Sequence, residues 1–311
     1  MKLQALISQY IGYKKSLGIK FNYGATHLKA FCRFIGNDAI ISKISSKKIT
    51  NFLYGEKQIT LSFFRKHSAL KGFYAYCISR DYTRHCPLPT ILPKKPASFI
   101  PYIYSHDELK RFFAATMVYQ ETQGNNITPY TAYVFFILLY VTGLRLDEAV
   151  SLTMENVDLA QSILTIKHTK FYKTRLVPFN KDLLKLLNKY NKHRKDNKYS
   201  QERHAPFFIS KKGGFLVANT IRDAFARICK KAGIKRTCRR PRIHDFRHTF
   251  AVHRIISWYQ ANASVQNLLP LLSVYMGHIR LSSTSIYLTM TPELLYAANK
   301  RFEQYTKGDI L

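Results

Sequence analysis

The chain has 311 residues, of which 46% are hydrophobic and 14% aromatic, so it can form about two domains with packed cores. Its 49 Lys and Arg against 18 Asp and Glu give a formal net charge of +31. This composition excludes a wholly disordered basic tail, which would lack apolar surface, and it predicts a polyanionic partner: nucleic acid first, an anionic membrane surface second.

Two sequence features argue against a membrane or secreted protein. The most apolar run, residues 133–141, is nine residues long, whereas a helix that crosses a bilayer needs about 20. The N-terminus lacks the apolar core that is typical of a signal peptide. We therefore expect a cytoplasmic protein with no membrane partner.

The first 86 residues predict a helical domain with a basic surface. Apolar residues recur at helical spacing in residues 3–11, 28–35 and 63–77. Residues 1–100 carry 17 basic and three acidic side chains, which favours a phosphate-facing surface over an ordinary solvated one. The candidate DNA-binding residues of this domain are Lys47, Lys48, Arg65 and Lys66.

A proline-rich linker is predicted over residues 87–104. Five of the eleven prolines of the chain lie between Pro87 and Pro101. Because proline removes a backbone donor and blocks helix formation, this segment should be extended and semi-rigid, with the domain boundary at about residue 100. Ser105 and Glu108 then fit a capping box that begins the next helix.

Residues 105–311 predict a mainly helical domain with one small antiparallel sheet, so the fold class is mainly α with an α+β part. Residues 129–141 are apolar on all sides, which is typical of a buried core helix. Two short strands are predicted at residues 163–166 and 175–179, joined by the polar turn 168–174. Further helices are predicted over residues 183–190, 219–232, 243–258 and 294–302.

Six side chains of this second domain could carry chemistry, and they occur in the order Arg, Lys, His-x-x-Arg, Gly-His, Tyr. Each has an ordinary structural explanation when it is taken singly. An arginine after glycine is usually a surface residue, a lysine in a turn is usually solvated, and a Gly-His pair can be a helix cap. The order of the set is what indicates a function. Its members are Arg145, Lys170, His244, Arg247, His278 and Tyr287.

The ordered set resembles the tyrosine recombinase family, also called phage-integrase-like recombinases. Residues 139–148 (L-Y-V-T-G-L-R-L-D-E) resemble the first box of that family, and residues 244–251 (H-D-F-R-H-T-F-A) resemble the second. Lys170 falls where the family keeps a hairpin lysine, and the spacing from His278 to Tyr287 matches that between the family's last histidine and its nucleophile. The N-terminal helical domain resembles the family's core-binding (SAM-like) domain, so the resemblance covers nearly the whole chain.

The resemblance implies a site-specific DNA recombinase of the integrase or transposase type. Such an enzyme cuts and rejoins duplex DNA through a covalent 3′-phosphotyrosine intermediate, with Tyr287 as the nucleophile and Lys170 as the general acid for the leaving 5′ oxygen. Arg145 and Arg247 would bind the non-bridging phosphate oxygens, because a guanidinium matches a phosphate with two hydrogen bonds. The phosphotyrosine conserves the free energy of the bond, so neither a metal nor another cofactor is expected.

The resemblance also implies supporting roles around the phosphate. His244 would assist proton transfer, and His278 would hydrogen-bond the phosphate. Glu148 and Asp245 are expected to orient the arginine or the histidine rather than to react.

A second basic cluster precedes the second box. Residues 227–242 contain eight positive charges and no acidic residue, which favours a phosphate-binding surface over a solvated loop. The candidate DNA-binding residues of the second domain are Lys173, Arg175, Arg236, Arg239, Arg240 and Arg242.

By the same resemblance, the two domains would form a C-shaped clamp around double-stranded DNA. Four protomers would assemble in the active synapse, with a monomer or dimer away from DNA. The C-terminal helix would dock on a neighbouring protomer, although packing on its own domain is nearly as well supported by the sequence. Residues 251–276 are longer than in compact chromosome-dimer-resolving members, which favours a recombinase of a transposon or other mobile element.

Two alternatives stay open from the sequence. A type IB topoisomerase-like enzyme shares the tyrosine chemistry but nicks and rejoins DNA without a synapse. A catalytically inactive basic DNA-binding protein would also explain the charge, although no catalytic position is missing from the sequence.

Overall fold

The computed structural model describes residues 1–55, 59–96, 100–118, 126–167, 174–234, 240–278, 280–289 and 292–306. Within these ranges the chain is mainly helical with one small antiparallel sheet, which confirms the predicted fold class. It divides into two compact units, Met1–Phe99 and Ile100–Leu311. Among the helices in the described ranges, none has both the length and the apolar character to cross a membrane.

The described residues of the first unit form four α-helices. They are α1 (Leu3–Ser16), α2 (Asn22–Ile35), α3 (Ser46–Tyr54) and α4 (Leu61–Ile78). The apolar faces of α1, α2 and α4 supply most of its buried core, as their periodicity predicts. Helix α3 was not predicted, because only Ile49, Phe52 and Leu53 of its nine residues are buried. Its start is marked by Ser45, whose hydroxyl accepts a hydrogen bond from the Lys48 amide.

The predicted linker, residues 87–104, spans the boundary between the two units. Its described parts, residues 87–96 and 100–104, contain no helix or strand. Tyr104, at its end, is fully buried and stacks on Phe246 with 4.9 Å between the ring centroids. The amide of Tyr104 also donates a hydrogen bond to the Thr249 hydroxyl at 3.1 Å. These contacts anchor the start of the second unit to its own core.

The second unit is built around one apolar helix. Its helices are α5 (His106–Met117), α6 (Pro129–Thr142), α7 (Leu146–Val150), α8 (Lys181–Asp196), α9 (Ala218–Lys231), α10 (Asp245–Gln260), α11 (Val265–Met276), α12 (Ser282–Ser285) and α13 (Pro292–Thr306). Helix α6 packs against α5, α8 and α10, which confirms the predicted core helix. The predicted capping box is present: Ser105 and Glu108 exchange side-chain and backbone hydrogen bonds at the start of α5.

A three-stranded antiparallel sheet lies beside the helices. Its strands are β1 (Val157–Asp158), β2 (Ile163–Ile166) and β3 (Arg175–Pro178), in the order β1-β2-β3. The two predicted strands are confirmed, and Ile166 pairs with Arg175 at the end of the sheet. Strand β1 was not predicted, because two residues are too few to show the alternation of apolar and polar side chains that marks a strand. Lys170, in the turn that the sequence predicts between these strands, lies outside the described residues.

A third apolar cluster joins α10, α11 and the C-terminal segment. Helix α11 was not predicted, because Pro270 lies inside it and proline usually ends a helix. Its apolar face still buries Leu269, Leu272 and Met276. Helix α13 packs against α10 of the same chain, with Leu294 fully buried.

Candidate active site

Four segments converge in the second unit: the end of α6, the first turn of α10, the end of α11 and the 3-10 turn Ile286–Thr289. Helices α6 and α11 each end at a glycine in the left-handed conformation, Gly143 (φ 61°) and Gly277 (φ 67°). Other residues rarely adopt this conformation, and a Cβ at Gly143 would overlap a neighbouring aromatic ring. The two glycines therefore set the turns that bring Arg145 and His278 into the site.

Arg247 is buried at the centre of the site, with 2% of its surface exposed. Its guanidinium donates hydrogen bonds to the carbonyl oxygens of Gly143, at 2.6 Å, and Met276. Burial, and then the nearby charge of Arg145, lower the pKa of Arg247 to about 9. Within the described residues no carboxylate pairs with this guanidinium. It is therefore a fixed, desolvated positive charge that favours an anionic ligand.

Arg145 and Glu148 are joined by two contacts. The backbone amide of Arg145 donates to one carboxylate oxygen of Glu148 at 2.9 Å, and its Nη1 donates to the other at 2.8 Å. Its Nη2 donates to the Gly277 carbonyl at 3.2 Å. The Arg145 side chain keeps 35% of its surface exposed. Glu148 therefore fixes the direction of a guanidinium that still faces solvent on one side.

Arg175 holds Glu148 from the opposite side. Its two Nη atoms donate to the two carboxylate oxygens at 2.9 and 2.7 Å, and its Nε donates to the Tyr275 carbonyl at 3.1 Å. Burial alone would raise the pKa of Glu148, but the hydrogen bonds and charges of Arg175 and Arg145 lower it to about 2. The prediction that Arg175 contacts DNA is corrected here, because its side chain is only 9% exposed and its donors are committed inside the protein.

Two of the predicted histidines lie at the edges of the site. His278 contacts the hydroxyl of buried Thr284, with 2.8 Å between Nδ1 and Oγ1. Burial, followed by the charges of Arg247 and Arg145, lowers the pKa of His278 to about 4. Desolvation by the surrounding protein, then the charges of Arg247, Arg242 and Arg145, also lower the pKa of His244, although part of its surface is exposed. Both imidazoles are therefore neutral at pH 7.

Asp245 holds the loop that leads into α10. One carboxylate oxygen accepts the backbone amide of Arg242 at 2.7 Å, and the other accepts its guanidinium at 3.2 Å. Asp245 is fully buried, and burial raises its pKa despite these bonds. Its partner is therefore Arg242 rather than an arginine of the predicted catalytic set.

Tyr287 lies inside the site on the turn Ile286–Thr289, with 2% of its surface exposed. Burial raises the pKa of its hydroxyl, while the positive charges of Arg247 and Arg145 oppose that shift. Its Oη lies 3.1 Å from Nδ1 of His248.

His248 is the residue at this site that the sequence analysis missed. One signal was available: His244 and His248 are four residues apart, so a helix places them on the same face as neighbours. Their rings make an edge-to-face contact with 4.8 Å between centroids.

The structure therefore brings together Arg145, His244, Arg247, His278 and Tyr287, five of the six predicted catalytic residues. The sixth, Lys170, and the predicted DNA-binding residues Lys173, Arg236 and Arg239 lie outside the described residues.

A basic cavity of about 550 Å³ opens beside Arg145 and His244. Arg242, from the predicted DNA-binding list, lines it together with Arg222, which the sequence analysis did not select. Arg240 is exposed nearby in sequence. Its walls carry three arginines and one imidazole against a single carboxylate, Asp147, so the net charge is positive and suits the backbone of a nucleic acid.

The predicted DNA-binding residues of the first unit differ in exposure. Lys47, Lys48 and Arg65 are exposed. Lys66 is half-buried, and its ammonium donates to the Phe52 carbonyl at 2.8 Å while lying over the Phe52 ring. Lys66 is therefore already engaged within its own unit.

Comparison with known proteins agrees with this geometry. The model of the phage integrase family matches residues 104–293, more than half of the chain. A Sinorhizobium fredii protein, y4rE, that is named as an integrase/recombinase is 32% identical over 295 residues, covering 95% of this chain and 94% of its own.

Solved structures share the fold. A Tn1549 transposon integrase in complex with a circular intermediate DNA superposes with a TM-score of 0.72 at 17% identity, covering 97% of this chain and 99% of its own. A lambda integrase tetramer bound to a Holliday junction gives a TM-score of 0.69 at 17% identity, covering 92% and 77%. The chain therefore belongs to the phage integrase family and is a tyrosine recombinase.

Proposed function

We propose that Tyr287 attacks one phosphodiester at a specific site in duplex DNA and forms a covalent 3′-phosphotyrosine. The observation that carries this proposal is the placement of a buried tyrosine hydroxyl beside Arg247, Arg145 and His248. A tyrosine in a purely structural core would not need two arginines and two histidines around it. The attack leaves a 5′ hydroxyl, which can later reverse the step on the same or another strand.

The two arginines stabilise the charge that develops on the phosphate. Arg247 is fixed by two backbone carbonyls, so it needs no reorganisation when the phosphate arrives. Arg145 is half-exposed beside the basic cavity, so it can meet an incoming phosphate oxygen. Neutral His244 and His278 supply hydrogen bonds or proton transfer rather than charge. Lys170 protonates the leaving 5′ oxygen in this proposal.

Glu148 and Arg175 act as positioning residues. Arg175 belongs to β3, and its bonds reach Glu148 in α7 and the Tyr275 carbonyl in α11. This pair therefore links β3, which follows Lys170 in the sequence, to the end of α11, which is followed by His278. The role replaces the DNA contact that was predicted for Arg175.

We propose that both units of the chain contact the DNA substrate and that several protomers assemble on it. The first unit, with the exposed Lys47, Lys48 and Arg65, acts as the core-binding domain, and the cavity with Arg222 and Arg242 contacts the backbone near the scissile phosphate. The active form is a tetramer on DNA, the arrangement named for the similar lambda integrase structure. A transposon or other mobile element is the proposed carrier, and a DNA substrate fits the predicted cytoplasmic location.

The experiment begins in cells that express the full chain. DNA that remains covalently attached to the protein is isolated and sequenced, which identifies the site. A plasmid with two copies of that site should then recombine with the wild-type protein and not with Tyr287→Phe. Efficient relaxation of a supercoiled plasmid that lacks the site would favour a topoisomerase, and the absence of any covalent DNA would favour an inactive DNA-binding protein.

A further inference from the structure

The contact between His248 and Tyr287 joins an imidazole to the atom that forms the new bond to phosphorus. Nδ1 of His248 lies 3.1 Å from Oη of Tyr287, within hydrogen-bond distance. When the imidazole carries its proton on Nε2, the tyrosine hydroxyl donates to Nδ1. A buried phenol cannot lose its proton to bulk water directly, so the partner of its hydroxyl decides where that proton goes.

The other two histidines of the site are less suited to take the proton of the Tyr287 hydroxyl. The ring of His278 is stacked 6.3 Å from that of Tyr287, and its Nδ1 is engaged by Thr284. His244 contacts the ring of His248 rather than the tyrosine. Among the described residues, His248 is therefore the one side chain shown in hydrogen-bond contact with the hydroxyl.

We propose that His248 is the general base of the cleavage step: its Nδ1 takes the proton of the Tyr287 hydroxyl as Oη attacks phosphorus. The Oη–P bond forms, the bond between phosphorus and the 5′ oxygen breaks, and the leaving oxygen takes a proton from the general acid on its own side. In the joining step the protonated His248 returns its proton to Oη as the tyrosine leaves. This inference rests on the proposed function and assigns a catalytic role to a residue that the sequence analysis passed over.

The surroundings keep His248 unprotonated, so its Nδ1 is free to act as an acceptor. Burial, then the charges of His244, Arg242, Arg247 and His278, lower its pKa to about 3, so the imidazole is neutral at pH 7. The same positive groups would make a protonated His248 short-lived. The negative phosphate that DNA brings into the site offsets this effect and raises the basicity of the imidazole at the moment of attack.

The same helix provides a matched control. His253 also belongs to α10, its Nδ1 also contacts a tyrosine hydroxyl, that of Tyr140 at 3.0 Å, and its pKa is also lowered, to about 4. Tyr140 is not the proposed nucleophile. The His253→Asn variant therefore makes the same substitution at a histidine that contacts a tyrosine hydroxyl, but at a position with no role in the proposed reaction.

The test measures the rate of covalent adduct formation on a nicked suicide duplex of the identified site, with full-length protein. His248→Asn keeps a hydrogen-bonding group near the position of Nδ1 but cannot take a proton, whereas His248→Ala removes both. We expect both variants to lose about 10²-fold or more in rate, the lower range for general base catalysis, and His253→Asn to cleave as the wild type does. Wild-type cleavage by His248→Asn would overturn the proposal.

A second substrate distinguishes the base from the acid. Replacing the 5′ bridging oxygen with sulfur gives a leaving group that needs no proton, so it should restore cleavage by Lys170→Ala but not by His248→Asn. The ratio of the rates on the sulfur and oxygen substrates is independent of how much of each variant is folded. Restoration of His248→Asn by sulfur would overturn the assignment of this histidine to the nucleophile.

Adduct formation by the wild-type protein tests the proposed function separately from the role of His248. An adduct that forms with wild type and is absent with Tyr287→Phe supports the proposed function whatever His248 does. Absence of an adduct with wild type would contradict the proposed function itself.

Discussion

Arg175 and Glu148 form a buried two-point ion pair, with 2.9 and 2.7 Å between the guanidinium nitrogens and the carboxylate oxygens. The same carboxylate holds Arg145 on its other side. The arginine that faces the substrate is therefore aligned by a carboxylate, and the carboxylate is itself aligned by a second arginine that does not face the substrate.

Breaking this ion pair should affect both stability and cleavage. Glu148→Gln leaves two neighbouring guanidinium groups without a counter-charge, and breaking a buried pair costs about 3–5 kcal/mol. Denaturant unfolding followed by the fluorescence of Trp258, the single tryptophan, reports this loss in the second unit. Arg175→Lys keeps the positive charge but cannot make both hydrogen bonds to the Glu148 carboxylate, so we expect a smaller loss of stability together with slower cleavage. Unchanged cleavage in both variants would contradict the positioning role.

Arg145 should matter for the reaction far more than for folding. Because its side chain is partly exposed, Arg145→Ala should fold normally and bind site DNA with little change. Its cleavage rate should fall by about 10³–10⁵, the range for an arginine that stabilises a transferring phosphoryl group. Adduct formation and gel-shift affinity, measured on one DNA, separate the two effects. Equal losses in binding and cleavage would argue against a transition-state role.

The neutral histidines should make the second unit sensitive to acid. The pKa of His248 is lowered to about 3, and those of His253 and His278 to about 4, all mainly by burial. In the unfolded chain these groups bind protons near pH 6.5, so the unfolded state takes up more protons below that pH. Their stabilising contribution is complete above pH 6.5 and declines as the pH falls toward about 4.

Unfolding in urea, followed through Trp258 near pH 7 and near pH 5, checks this expectation. The free energy of unfolding should be lower at the acidic pH. His253→Asn removes one of the three groups and should reduce the difference. A free energy that is the same at both pH values would show that these imidazoles are not held neutral by the fold.

The first unit should supply part of the electrostatic binding. Lys47 and Lys48 are exposed on α3, so the double alanine variant should weaken binding to all duplex sequences. Each lost phosphate contact should reduce the slope of log affinity against log salt by about 0.9. Lys2→Ala is the control, because Lys2 already pairs with Asp38 at 2.8 Å. If the double variant kept the wild-type slope, these lysines would not contact phosphates.

Helix α13 presents apolar side chains that the described part of its own unit leaves exposed. Leu295, Tyr296 and Phe302 are 51%, 71% and 64% exposed, while Leu294 of the same helix is buried. Tyr296→Ser with Phe302→Ser should leave cleavage of a single suicide site unchanged and reduce tetramer formation on DNA. Light scattering of the DNA complexes measures the assembly. Normal tetramers in the double variant would indicate that another surface joins the protomers.

Most of the fold and most residues of the site could be predicted from the sequence, because their signals lie within short stretches of the chain. The all-round apolar character of α6 and the capping box at Ser105 can each be read within one short stretch of chain. Basic character alone could not show that Arg175 is buried, since its carboxylate partner is 27 residues away. His248 was missed because its contact depends on where Tyr287 folds back, 39 residues later.

In the proposed reaction Tyr287 itself becomes joined to DNA. The most direct measurement is mass spectrometry of the protein trapped on a suicide duplex, digested with trypsin and nuclease. Cleavage after Arg280 and Lys300 gives a peptide that holds both Tyr287 and Tyr296, so fragment ions must locate the modification. We expect a nucleotide 3′-phosphate on Tyr287. A nucleotide on Tyr296 or on any other residue would contradict it.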